Sequence, residues 1–218
     1  DDLVLRDNLV LLKAWGDDPA PWQRVGVDRI LRAAHFREGG EVLTVDYFYE
    51  PPSELPDWSV GRGNMSAAYA YGTQGALVEV DEETGEVTLL DFVAAHDVGK
   101  VLNPQTLRGQ MYGALAQGFG YTFTEDVISA DGRILNCNFR DYKLPTAHEM
   151  RFPIDLHFVE TEDENGPFGA KGIGEAGLVP TAPAIANAIW DAVGVRVRDL
   201  PITPEKLRAA IRAKRESE

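Results

Sequence analysis

Five glycines crowd around one carboxylate in the run Gly166-Pro167-Phe168-Gly169-Ala170-Lys171-Gly172-Ile173-Gly174-Glu175-Ala176-Gly177. Glycine relaxes the steric limits on backbone torsion and lets the backbone come close to a ligand. The run is therefore expected as a tight loop, and a strongly helical segment follows it. A carboxylate held in such a loop suits chemistry better than solubility. On the residues alone, a functional loop and a bare structural connection remain equal readings.

Two nucleotide-binding readings of this loop are disfavoured. Gly172-x-Gly174-x-x-Gly177 formally matches a dinucleotide fingerprint, but that fingerprint requires a strand directly before it. Here Asp163-Glu164-Asn165-Gly166-Pro167 precedes it, which reads as a loop. Glu175 would also sit against a pyrophosphate, where a carboxylate repels. A phosphate-binding P-loop needs Ser or Thr after its lysine, and Lys171 is followed by Gly172.

The bulk numbers narrow the class. With 218 residues the chain forms one large domain or two small ones. An apolar content of 44% supports a core. The net charge of −14 argues against a nucleic-acid partner, because phosphate backbones need a basic face. The basic stretch from Lys206 to Arg215 fits the C-terminal end of a helix. A lone cysteine, Cys137, excludes an intrachain disulfide and an all-cysteine metal cluster, and fits a cytoplasmic location. No run of about 18 apolar residues suggests a membrane span, and no signal peptide is recognised. The chain begins Asp1-Asp2-Leu3 without a methionine, as expected of a fragment or a processed part.

The pattern predicts mixed α/β (α+β) architecture. Leu5, Leu9 and Leu12 are spaced for a short helix. A turn is expected from Pro19 to Trp22, a helix over Val25 to Phe36 with Val27, Ile30, Leu31 and Ala34 on one side, and a strand over Glu41 to Tyr49. Pro51 to Gly63 reads as a loop. Met65 to Val80 and Val87 to Ala95 read as a β-hairpin, turned by acidic residues and Gly85. Thr106 opens a helix to about Thr122, with Gln110 near its start. Gly109, Gly113, Gly118 and Gly120 lie along it, each costing roughly 1 kcal/mol relative to alanine. Close approach of another element or a ligand would offset that. A strand follows over Ile154 to Thr161, then a helix over Pro180 to Val193. Thr203 and Pro204 open the last helix.

Two further segments accompany the glycine loop. One is Asp97-Val98-Gly99-Lys100-Val101-Leu102-Asn103-Pro104, leading into Arg108-Gly109-Gln110-Met111-Tyr112-Gly113. The other is Asn138-Phe139-Arg140-Asp141-Tyr142-Lys143-Leu144-Pro145-Thr146. In this order and at these separations, the three resemble the C-terminal half of the large subunit of the xanthine oxidase / aldehyde oxidase family of molybdenum hydroxylases. The resemblance is specific over the later part of the chain and loose over residues 1–40. It implies mixed sheets with packed helices, as the C-terminal part of a molybdopterin-binding domain across 1–218.

The resemblance also implies roles. Glu175 matches the glutamate beside the molybdenum, the general base. Gln110, after Gly109, matches a glutamine that hydrogen-bonds molybdopterin, and Lys171, Gly172 and Gly174 match the loop packed against the site. No protein side chain is implied as a metal ligand, because the pterin holds the metal, and His96, His148 and Cys137 receive no role. The implied cofactor is molybdopterin, the cytosine dinucleotide form being one option, with 2Fe-2S clusters and FAD on partner chains or domains. The chain has no match to the family's upstream Gly-Gly-Phe-Gly-Gly loop, so the rest of the molybdenum subunit, an iron–sulfur subunit and a flavin subunit are implied partners. The implied reaction is oxidation of a substrate carbon, in an N-heterocycle such as a purine, an aldehyde or carbon monoxide. A non-catalytic assembly domain that keeps the fold is the alternative.

Overall fold

A computed structural model describes residues 3–12, 14, 20, 24–37, 39–40, 42, 44 and 46–217. They fall into two compact units, Asp1–Glu50 and Pro51–Glu218.

In the first unit, β1 (Leu3–Arg6) and β2 (Leu9–Leu12) pair antiparallel, and β2 also pairs with β3 (Val25–Gly26). The expected short helix through Leu5, Leu9 and Leu12 is thus a hairpin. The reason lies in the two residues between the runs: Asp7 and Asn8 have φ of 49° and 60°. Positive φ at both central positions is the tight turn whose twist matches paired strands, and Asp and Asn tolerate it. Helix α1 (Val27–Phe36) forms as the spacing predicts, although none of its residues is fully buried. The turn expected at Pro19 to Trp22 falls outside the described residues except for Ala20. Of the strand expected over Glu41 to Tyr49, positions 41, 43 and 45 lie outside them, and the others are not in a strand.

The second unit is built on a mixed sheet. Strands β4 (Gly72–Val80) and β5 (Val87–Asp97) form the predicted hairpin, although residues 65–71, expected in its first arm, are not in a strand, and β5 pairs in parallel with β8 (Ile154–Val159), giving the order β4-β5-β8. The β4–β5 turn is held by the Asp81 carboxylate, which accepts from the Glu83 and Thr84 N–H groups at 2.8 and 3.1 Å. Gly85 completes it at φ 82°. Between β5 and β8 run α2 (Pro104–Phe123) and a small hairpin of β6 (Ser129–Ala130) and β7 (Arg133–Ile134). Helices α3 (Thr181–Val193) and α4 (Pro204–Ser217) complete the unit.

The core lies between sheet and helices. Phe92, Ala94 and Leu156 from β5 and β8 meet Met111, Leu115 and Phe119 of α2, Ile185 and Ile189 of α3, and Leu207 and Ile211 of α4. Phe119 stands edge-on to Phe92 and Phe152, with ring centroids 5.1 and 4.9 Å apart. Such aromatic pairs add ~1 kcal/mol beyond the area they bury. The unit matches the α+β expectation of mixed sheets with packed helices. Among the described residues no helix is long and apolar enough to cross a membrane.

Candidate functional site

Helix α2 starts earlier than the sequence suggests. Asn103 is its N-cap, and its side-chain oxygen accepts from the Gln105 and Thr106 N–H groups at 3.0 and 3.1 Å. Pro104 takes the first helical position, where its missing N–H costs nothing. Gln110 therefore lies in the second turn, beyond the free N–H groups of the helix end. Its side chain does the binding: Nε2 donates to the Gly174 carbonyl at 2.5 Å. One residue of α2 is thereby tied to the residue just before Glu175.

The four glycines of α2 divide into two kinds. A Cβ at Gly118 would lie 2.6 Å from the Thr181 Cβ, so this glycine lets α3 approach. At Gly120 the Glu125 side chain and Pro145 occupy that space. At Gly109 and Gly113 a Cβ would meet nothing within 4 Å, and the same holds for Gly172 and Gly174 in the loop. Four glycines around Gln110 and Glu175 thus have no packing reason among the described residues.

An open groove of about 540 Å³ joins these elements. Val98, Lys100, Leu107, Gln110, Lys171 and Gly174 are among the residues that line it. Glu175 adjoins it, exposed, with its backbone carbonyl accepting from Leu178 N–H at 3.0 Å. Its carboxylate makes no hydrogen bond or ion pair among the described residues. A larger groove of about 760 Å³, lined by Phe119, Phe123 and Phe152, holds none of the expected site residues.

Lys171 lines the groove, yet its ammonium is engaged inside the protein. Nζ lies 2.6 Å from Asp97 Oδ2 and donates to the Tyr69 carbonyl at 3.0 Å. Both side chains of the pair are nearly buried, at 10% and 7% exposure. Asp97 also accepts from Gly99 N–H at 3.0 Å and from the Thr161 hydroxyl at 2.8 Å. Burial alone would raise the Asp97 carboxyl, but the Lys171, Gly99 and Thr161 donors outweigh it and hold it below the usual carboxylate range.

Beside Asp97, His96 is 1% exposed. Its Nε2 lies 3.0 Å from Gln74 Nε2. The Gln74 amide nitrogen also donates to the Gly177 carbonyl at 2.7 Å, and the Gln74 oxygen accepts from the Thr181 hydroxyl at 2.8 Å. The Gln74 nitrogen is the donor, so His96 Nε2 accepts, and the neutral ring carries its proton on Nδ1. Burial likewise pushes the His96 pKa down, favouring that neutral form.

The structure thus brings together Gln110, Gly109, Lys171, Gly172, Gly174 and Glu175. The third sequence segment lies elsewhere, anchored at the far end of α2, where the Tyr142 hydroxyl donates to Glu125 at 2.6 Å. That bond to a carboxylate pushes the Tyr142 phenol up to about 12. Sequence reasoning missed Gln74, His96, Asp97 and Thr181. The one signal for them is a His-Asp pair closing a mostly apolar strand.

Among known proteins, the family described as the molybdopterin cofactor-binding domain matches residues 1–151. The gamma subunit of the 6-hydroxypseudooxynicotine dehydrogenase complex of Paenarthrobacter nicotinovorans is 40% identical over 148 residues, covering 66% of this chain and 18% of that protein. The aldehyde oxidoreductase of Megalodesulfovibrio gigas is 32% identical over 205 residues, covering 87% and 22%. Reconstituted CO dehydrogenase from Oligotropha carboxidovorans superposes with a TM-score of 0.74 over 100% of this chain and 26% of that one, at 24% identity, a likeness of fold. The chain spans about a fifth of the length of the curated relatives it matches.

Proposed function

Because the chain belongs to the molybdenum hydroxylases of the xanthine oxidase / aldehyde oxidase family, within their molybdopterin cofactor-binding domain, we propose that it supplies the general base and one wall of the cofactor site. The observation that carries this is the placement of Glu175. It stands exposed beside a groove whose four nearby glycines have bare faces open to an incoming group.

The residues fit a flat pterin. Without a Cβ at Gly109, Gly113, Gly172 or Gly174, a ring system can approach the backbone closely. Gln110 has one N–H committed to Gly174. Its other N–H and its oxygen can pair with the donor and acceptor edge of a pterin. Lys171 supports this wall from behind, through Asp97, rather than touching the cofactor.

When bound, the molybdenum cofactor supplies the two-electron oxidation of the substrate carbon, with water as the source of oxygen. Glu175 takes a proton at its carboxylate from the water-derived nucleophile, making it reactive toward an electron-poor carbon. Base catalysis of this kind contributes typically ~10²–10⁴-fold. The substrate class is an N-heterocycle or an aldehyde, and iron–sulfur and flavin groups on partner chains or domains would supply the electron acceptors.

The test is Glu175→Gln in the assembled enzyme. Molybdenum content and fold should be unchanged while turnover falls by about 10² or more. Near-normal turnover would remove Glu175 from the mechanism and leave an assembly role for this domain.

A further inference from the structure

Resting on that reading of Glu175, we propose that His96 and Asp97, adjacent at the end of β5, are positioning residues that clamp the Glu175 loop from both sides. Neighbouring residues of a strand point to opposite faces of the sheet. From one face Asp97 holds Lys171, four residues before Glu175, at 2.6 Å. From the other, His96 meets the Gln74 amide at 3.0 Å, and that amide holds the Gly177 carbonyl, two residues after Glu175, at 2.7 Å.

Three observations support the clamp. The Glu175 carboxylate has no partner of its own among the described residues, so only its loop fixes it. The loop contains no regular helix or strand between Gly169 and Thr181, so its geometry rests on these ties and on Gln110. Each tie is closed by other bonds. Asp97 takes Thr161 and Gly99 as well as Lys171, and Gln74 takes Thr181. A group whose bonds are all fixed locks the rotamer of its neighbour, which is what a catalytic carboxylate needs from its support.

The test uses the assembled enzyme with two variants. Gln74→Leu cuts the His96 side. The double variant Asp97→Asn/Lys171→Met cuts the other side without leaving a buried charge unpaired. Hydrogen exchange is read over residues 171–178 and, as reference, over β8, together with molybdenum content, kcat and KM. In both variants exchange over 171–178 should rise about tenfold or more, with β8 unchanged. Turnover per molybdenum should fall by about 10- to 100-fold, with KM within about threefold. In the single variant Lys171→Arg, which keeps the charge, much of the turnover should remain. Unchanged exchange over 171–178 in both variants would overturn the clamp, as would turnover that falls only in proportion to molybdenum lost. Glu175→Gln run alongside separates the two ideas: near-normal turnover there overturns the base, whereas a silent exchange profile overturns the clamp alone.

Discussion

Gln110 has two hydrogen-bonding atoms and uses one of them among the described residues, donating to the Gly174 carbonyl. Gln110→Ala should therefore loosen the loop and remove a pterin contact together. The loss of one such bond costs ~1–3 kcal/mol when the partner stays buried, so molybdopterin occupancy of the assembled enzyme should fall while activity per bound molybdenum changes less. Full occupancy would sink this assignment. His96 gives a prediction in pH. Its folded pKa lies below the ordinary 6.5 because of burial. On lowering the pH the unfolded chain takes up the proton first, near 6.5, and the folded chain only further down. Within that window the unfolded state binds more protons, so stability should drop as pH falls below about 6.5. Asp97, held low by its donors, acts in a separate window, losing its contribution only below the usual carboxylate range. His96→Gln, which keeps an acceptor for Gln74, should flatten the melting-temperature profile between pH 7.5 and 5. Identical slopes in both proteins would exclude His96 as the source.

Within α2 the glycines offer a paired experiment on one helix. Gly118→Ala would drive a methyl into Thr181. Overpacking of this kind costs ~1–3 kcal/mol, so the melting temperature should fall. Gly113→Ala meets open space, and helix propensity alone should stabilise by roughly 0.5–1 kcal/mol. In the assembled enzyme the same methyl should lower molybdenum content if a ligand or partner segment occupies that face. The sequence showed the density of these glycines but not their division, because the spacing within a helix does not reveal which face a distant α3 will meet. It showed the β4–β5 hairpin, because alternation and Gly85 are local signals. It misled over β1 and β2, where apolar runs of three and four residues satisfy helix and strand alike and the Asp7-Asn8 turn decides. The start of α2 shifted because Asn103 caps it ahead of Thr106. Glu175, Gln110 and the loop glycines stood out as motifs. Gln74, His96 and Asp97 did not, since their roles arise only when β4, β5 and the loop meet.

Over the whole molecule, large apolar side chains stand in solvent in the second unit: Leu55 at 94%, Trp58 at 83%, Phe139 at 78% and Phe168 at 87%. Together with relatives of which the matched segment makes up only about a fifth, these surfaces suit burial against the remainder of a molybdenum subunit. The isolated chain should bind an apolar dye, retain no molybdopterin and show no substrate oxidation, and assembly should suppress the dye signal. Cofactor and turnover in the chain alone would refute this. The ties of the Glu175 loop have one more consequence, in the order of folding. Gln110–Gly174, Lys171–Asp97 and Gln74–Gly177 join residues 64, 74 and 103 positions apart. Closing such distances demands entropy before any bond repays it, so contacts of this range form late. The hairpin of β4 and β5 can pair first, while the loop bearing Glu175 stays unfastened until the rest of the unit is in place. In pulse-labelled refolding of the chain, amides of residues 171–178 should gain protection after those of β4 and β5, which would make the loop bearing Glu175 the last part of this unit to set.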